Sequence, residues 1–231
     1  MKKYYKIAGL TVEMDSYGRT VEQALPYETE ASEAQVVIEN ATPAFHEKYP
    51  QLTEDEREYL YTGMSFYKQL ILFDGMMLHS SAVVVDGRAY LFTAPSGTGK
   101  STHTSLYLRE FGERAYILND DKPAIRLEDG IFYAYGTPWS GKTDQNVNAR
   151  VPLGGICVIA RGENNEISRL GARESLLGIY SQTIRPRSVS YANRVLDLME
   201  KLVEAVPVWS LRCNMEPEAV RVSFEAMSRE I

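Results

Sequence analysis

Residues 89–112 constrain this chain more than any other stretch. Ala89-Tyr90-Leu91-Phe92-Thr93 is a short β-prone run, and Ala94-Pro95-Ser96-Gly97-Thr98-Gly99 is a loop of small residues. Lys100-Ser101-Thr102 then opens a run carrying Leu106, Leu108 and Phe111 at helical spacing, with Gly112 placed as its C′ residue. The pattern predicts a strand over 89–93 and a helix over 101–111. A strand that feeds a glycine-rich turn and then a helix aims backbone N–H groups and the helix N-terminus at one point, an arrangement that holds phosphate. The amides around Gly97, Thr98 and Gly99 would hold a β-phosphate, and Lys100 would reach the β/γ oxygens. Ser101 would ligate Mg²⁺, and Ser96 and Thr102 complete the expected nucleotide-binding stretch.

A second segment competes with the first. Gly136-Thr137-Pro138-Trp139-Ser140-Gly141-Lys142-Thr143 fits the strict G-x-x-x-x-G-K-[ST] pattern, whereas the first opens with Ala94. Context reverses that ranking. Asp144-Gln145-Asn146-Val147-Asn148 has no apolar stripe, Pro152 follows soon after, and Trp139 stands where backbone would need to wrap closely. A plain surface turn and a second phosphate or substrate loop stand even for this segment. After residue 78 the only lysines are 100, 122, 142 and 201, and three of them lie in or beside candidate motifs. Lys142 is therefore kept as a candidate to steady a transferring phosphoryl group or its acceptor. Arg150 is a second one, with an ordinary surface arginine as the equal alternative.

Elsewhere the pattern is mixed. Short strands are expected at 4–12 and 34–38 with a turn near residues 15–18. Thr53 and Glu56 form a capping-box signature for a helix that Asp74-Gly75 stops. Strands are expected at 78–85, 115–118, 124–127, 131–135, 155–160 and 207–212, with Asp86-Gly87 as a hairpin turn. Helical periodicity marks 189–206 and 218–229. Strands and helices without strict alternation predict an α/β chain with a mixed sheet. The change of pattern near residue 75 divides it into an N-terminal strand-and-helix segment, 1–75, packed on a core, 76–231.

Composition narrows the functions. With 44% hydrophobic and 24% charged residues the chain is an average globular one, and its net charge of −6 disfavours nucleic acid as a partner. Residues 1–78 hold 13 acids and 7 bases; the remainder holds 18 of each. Two cysteines make no disulfide framework or zinc spacing, and three histidines are too scattered for a metal cluster. No signal peptide and no run of apolar residues long enough for a membrane helix is visible, so a cytoplasmic protein is expected. Eight of the fifteen tyrosines precede residue 75; half-buried strand and helix positions explain them better than a base-stacking surface.

A metal ligand or base should come from an acid at the end of a neighbouring buried strand, and Asp120-Asp121 after Tyr116-Ile117-Leu118 has that place. One carboxylate could hold a metal while the other takes a proton from an attacking hydroxyl; a solvated Asn-Asp turn is the plainer alternative. His79-Ser80-Ser81-Ala82, the loop Ser96-Gly97-Thr98-Gly99-Lys100-Ser101-Thr102 and the pair Asp120-Asp121 come in the order seen in HPr kinase/phosphorylase and in its distant relative phosphoenolpyruvate carboxykinase. Over roughly residues 76–231 the chain resembles small HPr-kinase-like proteins, which also carry a segment like Pro138-Trp139-Ser140-Gly141-Lys142. The resemblance implies a mixed-sheet P-loop domain of the HPr kinase / phosphoenolpyruvate carboxykinase-like type. It implies catalytic roles for His79, Lys100 and Asp120, with Asp120 as base and Asp121 near the metal.

These readings converge on an ATP- and Mg²⁺-dependent kinase that phosphorylates a serine or threonine hydroxyl of a small protein or peptide. A nucleotide-binding adaptor without transfer, and a kinase for a free small-molecule hydroxyl, are the alternatives. The acidic N-terminal segment suggests a basic acceptor, no nucleic acid or membrane partner is expected, and the resemblance leaves room for a homo-oligomer.

Overall fold

The computed structural model describes residues 3–229. It begins with a hairpin, β1 (Lys3–Ile7) and β2 (Leu10–Met14), that turns at Ala8-Gly9, where both residues have positive φ. The sequence pattern reads 4–12 as one strand; the chain reverses inside it because Ile7 and Leu10 pair and both bury toward one core. Residues 18–24, expected to follow a simple turn, form the helix α1 (Gly18–Ala24), and β3 (Val36–Ile38) joins β2 in parallel. A short α2 (Pro43–Lys48) precedes α3 (Glu54–Leu70). The capping box forms as expected: the Glu56 amide donates to Thr53 Oγ1 at 3.2 Å and the Thr53 amide to Glu56 Oε2 at 2.8 Å. Asp74, at φ 50°, turns the chain out of the helical region.

The rest of the chain builds a nine-stranded sheet. Its strands are β4 (Gly75–Met77), β5 (Ser80–Val85), β6 (Arg88–Thr93), β7 (Ala115–Asn119), β8 (Ala124–Glu128), β9 (Ile131–Tyr135), β10 (Arg150–Arg161), β11 (Glu166–Arg169) and β12 (Val208–Cys213). The order is β4-β8-β9-β10-β6-β5-β7, with β12 also on β10 and β11 on β12. β10 runs parallel to β6 and β12, while the remaining pairs are antiparallel, so the sheet is mixed. Period-2 alternation sorts side chains to the two faces. Ala82, Val84, Ala89 and Leu91 face one core, and Val83, Val85, Tyr90 and Phe92 face another. The first is covered by α6 (Val189–Ala205) through Val195, Leu198, Met199 and Leu202, with α5 (Ala172–Tyr180) beside it; the second is covered by α4 (Lys100–Phe111) and α7 (Glu218–Ser228).

β10 is twice the strand expected at 155–160. Its first residues, Arg150 to Pro152, pair with β9, and its last six pair with β12. Pro152 masks the early half in the sequence, yet is accommodated opposite Tyr133. A third core binds the two parts of the chain: Tyr59, Phe66, Tyr67 and Leu70 of α3 pack with the small sheet and with Ala124, Tyr135 and Trp139. No helix among the described residues is long and apolar enough to cross a membrane.

Candidate functional site

Because β6, β7, β10 and β12 all run the same way, their C-terminal ends meet at one edge of the sheet. Ligands of α/β sheets bind there, since loops leaving adjacent parallel strands converge. The loop after β6, the carboxylate pair after β7, Arg161 at the end of β10 and the turn after β12 line one cleft of about 1070 Å³.

The loop of residues 94–99 enters α4 as expected. Gly97 and Gly99 have φ of 79° and 120°, backbone states that side chains rarely adopt. The first amides of α4 have no helical acceptor. Lys100 is 92% buried, at 8% exposure, and folds over the loop, donating from Nζ to Ala94 O at 2.9 Å. Burial pulls the ammonium pKa down, and the Asp121 and Asp120 carboxylates pull it back up. Ser101 and Thr102 stand exposed at the cleft mouth.

Across the cleft the Asp pair is held by a network. Ser81 Oγ donates to Asp120 Oδ1 at 2.5 Å and also bonds Thr104 Oγ1 of α4 at 2.7 Å, so the helix leaving the loop is tied to the carboxylate. Asp121 Oδ1 lies 3.2 Å from His79 Nε2, and its other oxygen is paired with Lys122 Nζ. Burial favours the neutral acid, but the His79 hydrogen bond and the Lys122 charge outweigh it and hold Asp121 down at about 2. His79 is oriented by Gln182, whose Oε1 lies 3.0 Å from Nδ1 and whose carbonyl accepts the His79 amide at 2.8 Å. Asn119 makes the bend: its Oδ1 accepts from the Asp121 and Lys122 amides at 3.0 and 2.7 Å, and its Nδ2 donates to Thr137 O at 3.0 Å.

The segment 136–143 does not form the strand–loop–helix of the first. No helix follows it, and Gly136 packs so closely that a Cβ there would lie 1.8 Å from Val147 O. Trp139 is buried, stacked on Phe66 at 5.0 Å between centroids, with its indole N–H donated to Thr62 Oγ1 at 3.2 Å. The end of the segment does reach the cleft: Gly141, Lys142 and Thr143 form part of its wall. Arg150 does not reach it. Its guanidinium bonds Glu128 Oε2 at 3.0 Å and sits 4.4 Å above the Tyr133 ring, among residues that line no part of the cleft.

Four further side chains belong to the site and escape a reading of the sequence. Arg161 donates to carbonyls of the loop, and Gln182 orients His79. Arg19 of α1 bonds Asp144 at 2.9 Å and Gly141 O, and lies 4.4 Å over the Tyr59 ring. Tyr59 of α3 accepts the Gly141 amide at 3.2 Å, so its own proton is left to donate elsewhere; burial pushes the phenol up to about 12. The N-terminal part thus supplies one wall.

The fold and cleft define a mixed α/β protein with a glycine-rich strand–loop–helix facing paired carboxylates. Among solved structures, it is similar to the HPr(Ser) kinase/phosphatase from Coxiella burnetii, at 14% identity and a TM-score of 0.39, covering 66% of this chain and 98% of that one. No family model matches the chain, and no curated protein matches it.

Proposed function

We propose that the protein is an ATP- and Mg²⁺-dependent phosphotransferase that moves the γ-phosphoryl group to a hydroxyl. The observation that supports it most is the placement of the 94–99 loop, with Lys100 and Ser101 at the start of α4, across one cleft from Asp120 and Asp121. Phosphoryl transfer needs little covalent help from a protein, and positioning plus charge neutralisation account for most of its catalysis. The loop amides and Lys100 would hold the β- and γ-phosphates. Ser81 fixes one oxygen of Asp120, leaving the other to take the proton of the acceptor hydroxyl. Tyr59, Arg19 and Lys142 form the wall on the acceptor side.

The residues fit a magnesium ion. Magnesium takes one or two carboxylates plus substrate phosphates, and the ionised Asp121 with the Ser101 hydroxyl is such a donor set. Bound there, it would neutralise charge on the phosphate oxygens. A cation held by Asp121 would compete with the Lys122 ammonium for its negative charge. The acceptor we propose is a serine or threonine of a small protein or peptide.

Labelled ATP with Mg²⁺, incubated with candidate peptides and with free serine, should show transfer that Asp120→Asn reduces by roughly 100-fold or more, while nucleotide affinity is kept. Nucleotide binding with no transfer to any acceptor would make the protein an adaptor instead. Absence of nucleotide binding by the wild type would remove both readings.

A further inference from the structure

Arg161 ends β10, and its backbone is fixed from both sides. On one edge it pairs with Cys213 of β12, and the next amide, that of Gly162, donates to Cys213 O at 2.9 Å. On the other edge β10 runs parallel to β6 with Val158 opposite Thr93, so three residues further on Arg161 comes level with the 94–99 loop. The side chain closes the gap. Its Nη2 donates to Gly97 O at 2.6 Å and its Nε to Thr98 O at 3.1 Å.

Carbonyl oxygens in a phosphate loop are a hazard, because any that face the ligand repel it. A trans peptide points its C=O and the following N–H in opposite directions. Drawing the Thr98 carbonyl toward Arg161 therefore turns the Gly99 N–H the other way. Drawing the Gly97 carbonyl out turns the Thr98 N–H inward, where Pro95 O accepts it at 3.3 Å and closes the loop. The guanidinium also places a permanent positive charge beside the loop, one that no physiological pH removes. A forked donor is needed to hold two successive carbonyls at once, which a lysine ammonium does less well.

We infer that Arg161 is a positioning residue of the phosphate loop: it holds the Gly97 and Thr98 carbonyls to itself and so fixes the loop with the Gly99 amide turned toward a nucleoside polyphosphate. The inference rests on the nucleotide reading of the cleft. Its test is equilibrium binding of Mg·ATP to the wild type, Arg161→Met and Arg161→Lys, with melting temperatures alongside. Losing a charge-assisted pair of hydrogen bonds should weaken Mg·ATP binding by roughly 10- to 100-fold in R161M. R161K should recover part of that loss, and all three proteins should melt together, since the side chain is exposed. Wild-type affinity in R161M would overturn the inference and leave the nucleotide site standing. So would a loss that follows a fall in melting temperature and that R161K does not relieve. A wild type that binds no Mg·ATP would overturn both.

Discussion

Glu58 sits on α3 directly before Tyr59, 5% exposed, with one carboxylate oxygen accepting the Thr20 hydroxyl and the other, Oε1, without a hydrogen-bond partner in the described structure. Burial, reinforced by Asp55, pushes its pKa up to about 7 against hydrogen bonds from Thr20 and the Tyr17 backbone. A carboxyl whose folded pKa lies above its unfolded one favours the fold while it is protonated. Its contribution is complete below the ordinary value of 4.5 and is lost as pH rises through about 7. Glu58→Gln keeps the shape without the charge. It should melt with the wild type at pH 4 and be more stable at pH 8 by ~2 kcal/mol, read from thermal melts at the two pH values. Parallel pH dependence of the two proteins would mean that Glu58 is not held neutral. Asp121 has the opposite sign: held down at about 2, it stabilises the fold above the usual carboxylate range and stops doing so only as pH falls through that value.

At the scale of elements, local order decided what the sequence could disclose. The strand at 89–93 and the helix behind the loop carry their period within a few residues, and the structure places them at Arg88–Thr93 and Lys100–Phe111. Asp120 and Asp121 were legible for the same reason, as acids closing an apolar run. Arg161, Arg19, Tyr59 and Gln182 had no such signal, because strand register and helix docking alone bring them to the cleft. The polar β11 and the half-exposed α5 offered no clean period either. The strict motif at 136–143, ranked second on its context, has its own physical origin: its glycine answers to a close backbone approach, and its tryptophan fills a core. Trp139→Ala should therefore cost roughly 3–5 kcal/mol of stability in denaturant unfolding, far more than a surface turn would. A cost under about 1 kcal/mol would return the segment to the surface-turn reading.

Over the whole molecule, the division near residue 75 marks a change of sheet within a shared core. Ala124, Tyr135 and Trp139 from beyond it complete the apolar cluster of the first part, and Arg126 donates across it to Ala8 O at 2.9 Å. A chain beginning at residue 75 would expose that cluster. It should fail to give a cooperative unfolding transition, whereas an independently stable core would retain one. The excess acid of the first part lies away from the cleft: among the described residues Glu28, Glu30 and Glu33 do not line it, and the charged group that α1 brings to it is Arg19.

The strand β10 gives the cleft its mechanical character. One continuous run of backbone passes beneath the partners of both halves, pairing first with β9, then with β6 and finally with β12. Two lobes on a flexible connector can swing together over a substrate, but the loop and carboxylate walls, both carried by one hydrogen-bonded sheet, cannot. Adjustment to a ligand is left to the short loops and the long side chains at the rim, so the spacing between the 94–99 loop and the carboxylates is set at folding and not at binding.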